Sequence, residues 1–174
     1  MDLETLQRRL LGLIKSPEDT NEDEAYLHLV QQSQHLKVMR SIIFQWKAYE
    51  IEQYCIFTTA LLKRKGLLDE TVRTFIEKAS ISPFIEKLGV MFLEKMGNHA
   101  DTLIASLAQF ELALLKIKQG DVTTYVIEWD YNPYDLIEAL LHNTALEERG
   151  TTGSFRTILS KDLPGLFQVL SVKE

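Results

Sequence analysis

The spacing of apolar residues changes abruptly at Val122, and that change limits the folds open to this chain. Up to Gly120 the apolar residues recur at positions three and four apart, the repeat of an amphipathic helix. Beyond it, Thr123, Tyr125, Ile127 and Trp129 alternate with Thr124, Val126, Glu128 and Asp130, the repeat of a strand with one apolar and one increasingly acidic face. The strand stops at Asn132-Pro133, which with Asp135 reads as an N-cap, a proline at the first helical position and an acidic third position. A short helix follows, carrying Leu136, Ile137, Leu140 and Leu141. Leu146 to Gly153 reads as a mobile connection. Phe155 to Leu159 and Leu166 to Leu170 then form two further short strands around the turn Lys161 to Gly165. The expected fold is α+β: a mainly helical N-terminal bundle over residues 1–120 and a small mixed domain over 121–174, in the order strand, helix, strand, strand.

The helical part opens with Leu3, Leu6, Leu10, Leu13 and Ile14, closed by Ser16-Pro17. A polar loop leads to Asn21 and the acidic Glu22, Asp23 and Glu24, a helix start. No proline or glycine then appears until Gly66, so one very long helix or two are expected, with Gln31 to Gln34 as the break. Met39, Ile42, Trp46, Tyr49, Gln53, Phe57 and Ala60 trace one face, and Trp46 on that stripe is expected in the core. Asp69 reads as the N-cap of a helix with Val72, Phe75, Ile76 and Ala79, and Ser82-Pro83 starts another that runs through Leu93 and ends by Gly97. The cleanest periodicity comes last: Leu103, Leu107, Phe110, Leu114 and Ile117 on one line, with Ile104, Ala108 and Leu115 beside it.

At 174 residues, 45% hydrophobic and 25% charged, the chain has the composition of an ordinary globular protein. A chain of this length buries roughly 70% of its unfolded surface and needs no disulfide or structural metal to fold. The single cysteine, Cys55, excludes an intramolecular disulfide and a cysteine-based zinc cluster. The acidic start MDLETLQ lacks the basic flank of a signal peptide, and no apolar run approaches the roughly 20 residues that span a bilayer, so a cytoplasmic location is expected. The net charge of -6 sits mostly in the tail: residues 1–120 carry 15 Lys and Arg against 16 Asp and Glu, residues 121–174 carry 4 against 9. This disfavours a nucleic-acid partner, which needs a basic footprint. The one cationic cluster, Lys63-Arg64-Lys65 before Gly66, reads as a helix C-terminus.

Catalytic and metal-binding patterns are sparse. Glu24 with His28 and Glu138 with His142 are each one helical turn apart, but no Glu-x-x-His pair, HExxH or CxxC is present. His28 and His35 share a helical face, and His99 lies beside Asp101 at a helix start. Cys55 sits mid-helix in EIEQYCIFTTALL with no basic neighbour in sequence, the setting of a buried structural thiol. The glycines are scattered at turns rather than gathered into a phosphate loop. The remaining feature is the aromatic strand. Trp129 either closes the sheet over the following helix or helps to hold a ligand, because a small three-stranded sheet has edges that can template an added peptide strand.

The residues Leu3, Leu6 and Gln7, then Ser82-Pro83-Phe84 leading to Leu88-Gly89 and Phe92, then Leu107-Ala108-Gln109-Phe110-Glu111-Leu112-Ala113, carry a family resemblance. The chain resembles the helical partner subunits of multinuclear non-haem iron oxidases, the two-component enzymes that modify ribosomally made peptides in methanobactin-type pathways. The order of parts, a helical region and then a small mixed domain, is similar as well. One departure is that fewer residues here separate the Pro-Phe segment from the late helix. The resemblance implies a non-catalytic accessory subunit, part of a heterodimer, that binds the leader of a precursor peptide and docks onto an iron-dependent oxidase subunit. The iron belongs to that partner, and no cofactor is expected on this chain. Tyr125, Ile127, Glu128, Trp129, Asp130 and Tyr131 are the expected peptide-binding residues. The alternatives are a stand-alone helical metal-binding enzyme and a transcriptional regulator.

Overall fold

A computed structural model describes residues 25–78, 88–145 and 151–172, together with positions 4, 5, 7, 9, 12 and 13. Its elements are α1 (Ala25–Gln32), α2 (Gln34–Tyr54), α3 (Ile56–Arg64), α4 (Leu68–Lys78), α5 (Leu88–Met96), α6 (Thr102–Lys118), β1 (Tyr125–Tyr131), α7 (Pro133–His142), β2 (Thr152–Leu159), a single 3-10 turn (Pro164–Leu166) and β3 (Phe167–Ser171). The fold is α+β, helical through its N-terminal part, with a three-stranded antiparallel sheet at the C-terminal end. The helix start at Ser82-Pro83 and the loop at Ser16-Pro17 lie outside the described residues.

The chain divides into two compact units, residues 1–50 with 70–86, and residues 51–69 with 87–174. In the first, Leu13, Leu36, Val72 and Phe75 are buried. The Arg40 guanidinium donates to the carbonyl of Leu13, through Nε at 2.8 Å and also through Nη2. Arg73 lies over the Phe44 ring, 5.6 Å from its centroid, a cation–π contact. Trp46 is not in this core. It is 69% exposed, and Val38, Met39, Ile42 and Tyr49 are exposed with it.

The break expected between Gln31 and Gln34 occurs at Ser33, whose hydroxyl accepts from the amide of His35 at 3.2 Å. A second break, at Cys55, has a cause far away in sequence. The backbone there departs from helical values (φ -112°, ψ 53°), which frees the first amides of α3 from partners in the preceding turn. The Glu111 carboxylate, 5% exposed, accepts from the amides of Phe57 and Thr58, each at 3.0 Å. An acidic side chain from α6 thus caps α3, a charge-assisted contact at the positive end of the helix. Burial pushes the Glu111 carboxyl above its ordinary pKa, and the amide bonds of Thr58 and Phe57 oppose that shift. Close by, Gly89 gives α5 room to pass: a Cβ there would stand 2.7 Å from the Cβ of Tyr54.

The second unit has its core between α6 and the sheet. Leu107, Phe110 and Ile117 of α6 are buried, as are Ile127 and Trp129 of β1, Leu159 of β2, Leu136 of α7 and Phe92 of α5. Phe110 meets Trp129 edge-on at 5.9 Å and Phe167 at 5.2 Å, so one ring on the helix touches both outer strands. The local signals in α7 act as expected: the Asn132 side chain accepts from the Tyr134 amide at 3.0 Å, Pro133 opens the helix, and Asn143 closes it in the left-handed conformation (φ 53°). Asp69 differs, because α4 already begins at Leu68 and places Asp69 within its first turn.

Candidate functional site

The sheet has the order β1-β2-β3, so β1 and β3 are its two edges. Tyr125 pairs with Leu159, Ile127 with Thr157 and Trp129 with Phe155; across the next ladder Phe155 pairs with Ser171 and Leu159 with Phe167. Two backbone bonds fix which groups face which way. The Val172 amide donates to the Ser154 carbonyl at 2.9 Å and the Ser160 amide to the Leu166 carbonyl at 2.9 Å. In an antiparallel ladder every second residue turns both its N–H and its C=O toward the same neighbour. On β3, therefore, Gln168 and Leu170 bond to β2, whereas Phe167, Val169 and Ser171 turn their backbone groups outward. On β1, Val126 and Glu128 face outward in the same way.

The two edges differ at one backbone group, the Glu128 carbonyl, since the outward groups of Val126, like those of β3, meet no described partner. At β1 the outward carbonyl of Glu128 accepts the Ser106 hydroxyl of α6 at 2.8 Å, and the Thr102 hydroxyl lies 3.2 Å from the Asp130 carboxylate. The register also shifts by one residue between Trp129 and Tyr131, where three steps along β2 oppose two along β1. At β3, no described residue bonds to the outward backbone groups of Val169 or Ser171. The outer face of the sheet beside that edge is partly apolar, with Leu170 and Val172 exposed and Ile158 half-buried. The tight turn into β3 is held by Gly165 (φ 72°) and Leu166 (φ 71°), both left-handed, which starts the strand close against β2.

The six residues expected to bind a peptide all lie on β1, and their side chains divide between its two faces. Ile127 and Trp129 are buried at 4% and 3% exposure, packed in the core beneath the sheet. Glu128 is exposed and its Oε1 accepts from Nε of Arg156 on β2 at 2.7 Å. Asp130 is exposed beside Thr102. The Tyr125 hydroxyl donates to Asp121 at 2.5 Å, which raises the phenol pKa. The same Asp121 carboxylate accepts from the Thr123 hydroxyl and amide at 2.6 and 2.8 Å, and these bonds hold its pKa down at about 2. Tyr131 is half-buried, and burial together with nearby Asp135 raises its pKa. β3 is an edge as well, and Phe167, Val169 and Ser171 alternate with Gln168 and Leu170 in the same way as the residues of β1. What distinguishes the two strands is Ser106, which the sequence does not connect to Glu128.

The other candidate groups have structural partners. The Cys55 thiol is buried, contacts the Gly89 carbonyl at 3.4 Å, and is pushed far up in pKa by burial and by the Glu111 charge, a state unsuited to nucleophilic attack. In the cationic cluster, Arg64 donates to the carbonyls of Thr144 (2.7 Å) and Ala139, closing the C-terminal end of α7, and Lys65 pairs with Asp101. Asp101 itself caps α6, accepting from the amides of Leu103 and Ile104 at 3.0 and 3.3 Å. Burial works against its charge, but Lys65 and these amides leave its pKa below the ordinary value. The ring Nδ1 of His99 accepts from the Asp101 amide at 3.0 Å. Among the described residues no three His, Cys, Asp or Glu side chains come together as a metal site; Glu24 lies outside those residues. No described helix is long and apolar enough to cross a membrane.

Comparison with protein-family models, with curated proteins and with solved structures gives no match to this chain. Its geometry and its sequence carry the functional reading.

Proposed function

We propose that the chain is a non-catalytic peptide-binding subunit whose sheet takes up an extended peptide as a fourth strand along β3. The observation that carries this reading is the open edge of β3, where Val169 and Ser171 turn backbone donors and acceptors away from β2 and toward no described partner. Strand addition draws affinity from those main-chain groups and specificity from alternate side chains. A peptide strand there lays every second side chain beside Leu170 on the outer face, so apolar residues at alternate positions fit best. The acidic balance of residues 121–174 favours basic residues between or beside them. On this reading the β1 residues set the sheet in place: Trp129 and Ile127 pin it to α6, and the Glu128 to Arg156 pair joins it to β2.

The sequence resemblance supports the finer part of the proposal, that the peptide is the leader of a ribosomally made precursor and that the subunit presents it to an iron-dependent oxidase which holds the metal. On this reading the protein works in the cytoplasm, where such precursors are made. The test is fluorescence anisotropy with labelled leader segments of precursor peptides from the native host. Val169→Pro removes an outward amide and no ladder bond, so it is expected to weaken binding at least tenfold with the fold intact. Val126→Pro, the matching change on β1, is expected to leave affinity unchanged. Equal binding by wild type and Val169→Pro would refute the β3 edge, and loss of binding in Val126→Pro alone would move the site to β1.

A further inference from the structure

Helix α2 is apolar on two sides. Leu36 and Ile51 are buried and Phe44 is half-buried on one side, while Val38, Met39, Ile42, Trp46 and Tyr49 stand exposed on the other. Met39, Ile42, Trp46 and Tyr49 follow one another at steps of three and four, with Val38 at their margin, so they form a straight seam about three turns long. The other residues that fall within the seam are uncharged at neutral pH: His35, Gln45 and Gln53. The helix's cations, Lys37, Arg40 and Lys47, all project from the opposite side, and Glu50 and Glu52 flank the seam. Such a face offers no positive charge to a nucleic acid or an anionic lipid surface.

What the face does match is itself. Read from either end, the central line of the seam runs polar, apolar, apolar, polar: His35, then Met39 and Ile42, then Trp46 and Tyr49, then Gln53, with Val38 and Gln45 at its margin. Two copies laid antiparallel about a two-fold axis near Phe44 and Gln45 place Met39 opposite Tyr49 of the second copy and Ile42 opposite its Trp46, with His35 meeting Gln53 at each end. Trp, Tyr and Met are the residue types that interface centres favour. The two seams together bury on the order of 1,000 Å², near the lower limit for a specific interface. We propose that the chain self-associates through this face of α2, as an antiparallel dimer.

Sedimentation equilibrium of the full chain across micromolar concentrations tests this. The expected result is a concentration-dependent monomer–dimer equilibrium that Trp46→Glu weakens at least tenfold without changing the far-ultraviolet circular dichroism. Orientation is read by disulfide trapping. A mixture of His35→Cys and Gln53→Cys proteins is expected to cross-link, and neither alone, the native thiol at Cys55 being buried. A monomer throughout the range would overturn the proposal, as would a dimer that survives Trp46→Glu. Cross-linking of His35→Cys to itself would overturn the antiparallel arrangement.

Discussion

Helices α2 and α6 carry apolar lines of similar regularity, and they end in opposite surroundings. Along α6, Leu107, Phe110 and Ile117 are buried beneath the sheet. Along α2, Met39, Ile42, Trp46 and Tyr49 are exposed. The two tryptophans mark the contrast, Trp129 at 3% exposure against the α6 core and Trp46 at 69% on α2. Periodicity shows that a helix has a face to cover, and says nothing about whether this chain or a second one covers it. For α6 the cover is the sheet, whose strands place rings against Phe110. For α2 the same chain supplies a cover for the opposite side, through Leu36 and Ile51.

The contrast predicts unequal costs for similar substitutions. Phe110→Ala removes the ring that touches both edge strands and is expected to cost about 3–5 kcal/mol in urea unfolding. A loss below about 1 kcal/mol would mean that the α6 line is not the core.

Next in size is Glu111→Ala, which leaves the amides of Phe57 and Thr58 without the carboxylate and is expected to cost about 3 kcal/mol. Its charge also makes a pH prediction. The folded pKa of Glu111 is raised above its unfolded value, so its contribution to stability is complete below about pH 4 and declines as pH rises through the folded pKa. The stability of wild type relative to Glu111→Gln should therefore fall as the pH rises above about 4. A difference that rises over that window would show the amide bonds outweighing burial.

The smallest effect belongs to α2. In dilute protein Trp46→Ala is expected to change unfolding free energy by no more than about 0.5 kcal/mol, because an exposed ring leaves no cavity. A cost comparable with Phe110→Ala would place Trp46 in a core and erase the comparison.

The local signals in the sequence were sufficient where the chain caps itself. Asn132-Pro133, Gly66, the interruption near Ser33 and the change of period after Gly120 are each written within a few residues, and each appears in the structure. The features that depend on distant partners were not legible. The break at Cys55 falls in an unbroken helical pattern and is explained by Glu111, more than fifty residues on. Arg64 reads as serving its own helix end and instead closes α7. The exposure of Trp46 follows from which side of α2 the neighbouring elements occupy, which no spacing encodes. At the candidate site the strand β1 was readable from its alternation, and the difference between the two sheet edges was not, because it rests on Ser106 reaching Glu128.

The measurement that bears most directly on the proposed function is residue-resolved amide hydrogen exchange along β3 in the free protein. An open edge predicts alternation: the amides of Gln168, Leu170 and Val172, which face β2, are protected, and those of Val169 and Ser171 exchange rapidly. Protection at Val169 and Ser171 in the absence of any peptide would show the edge already covered and would contradict a binding role for it.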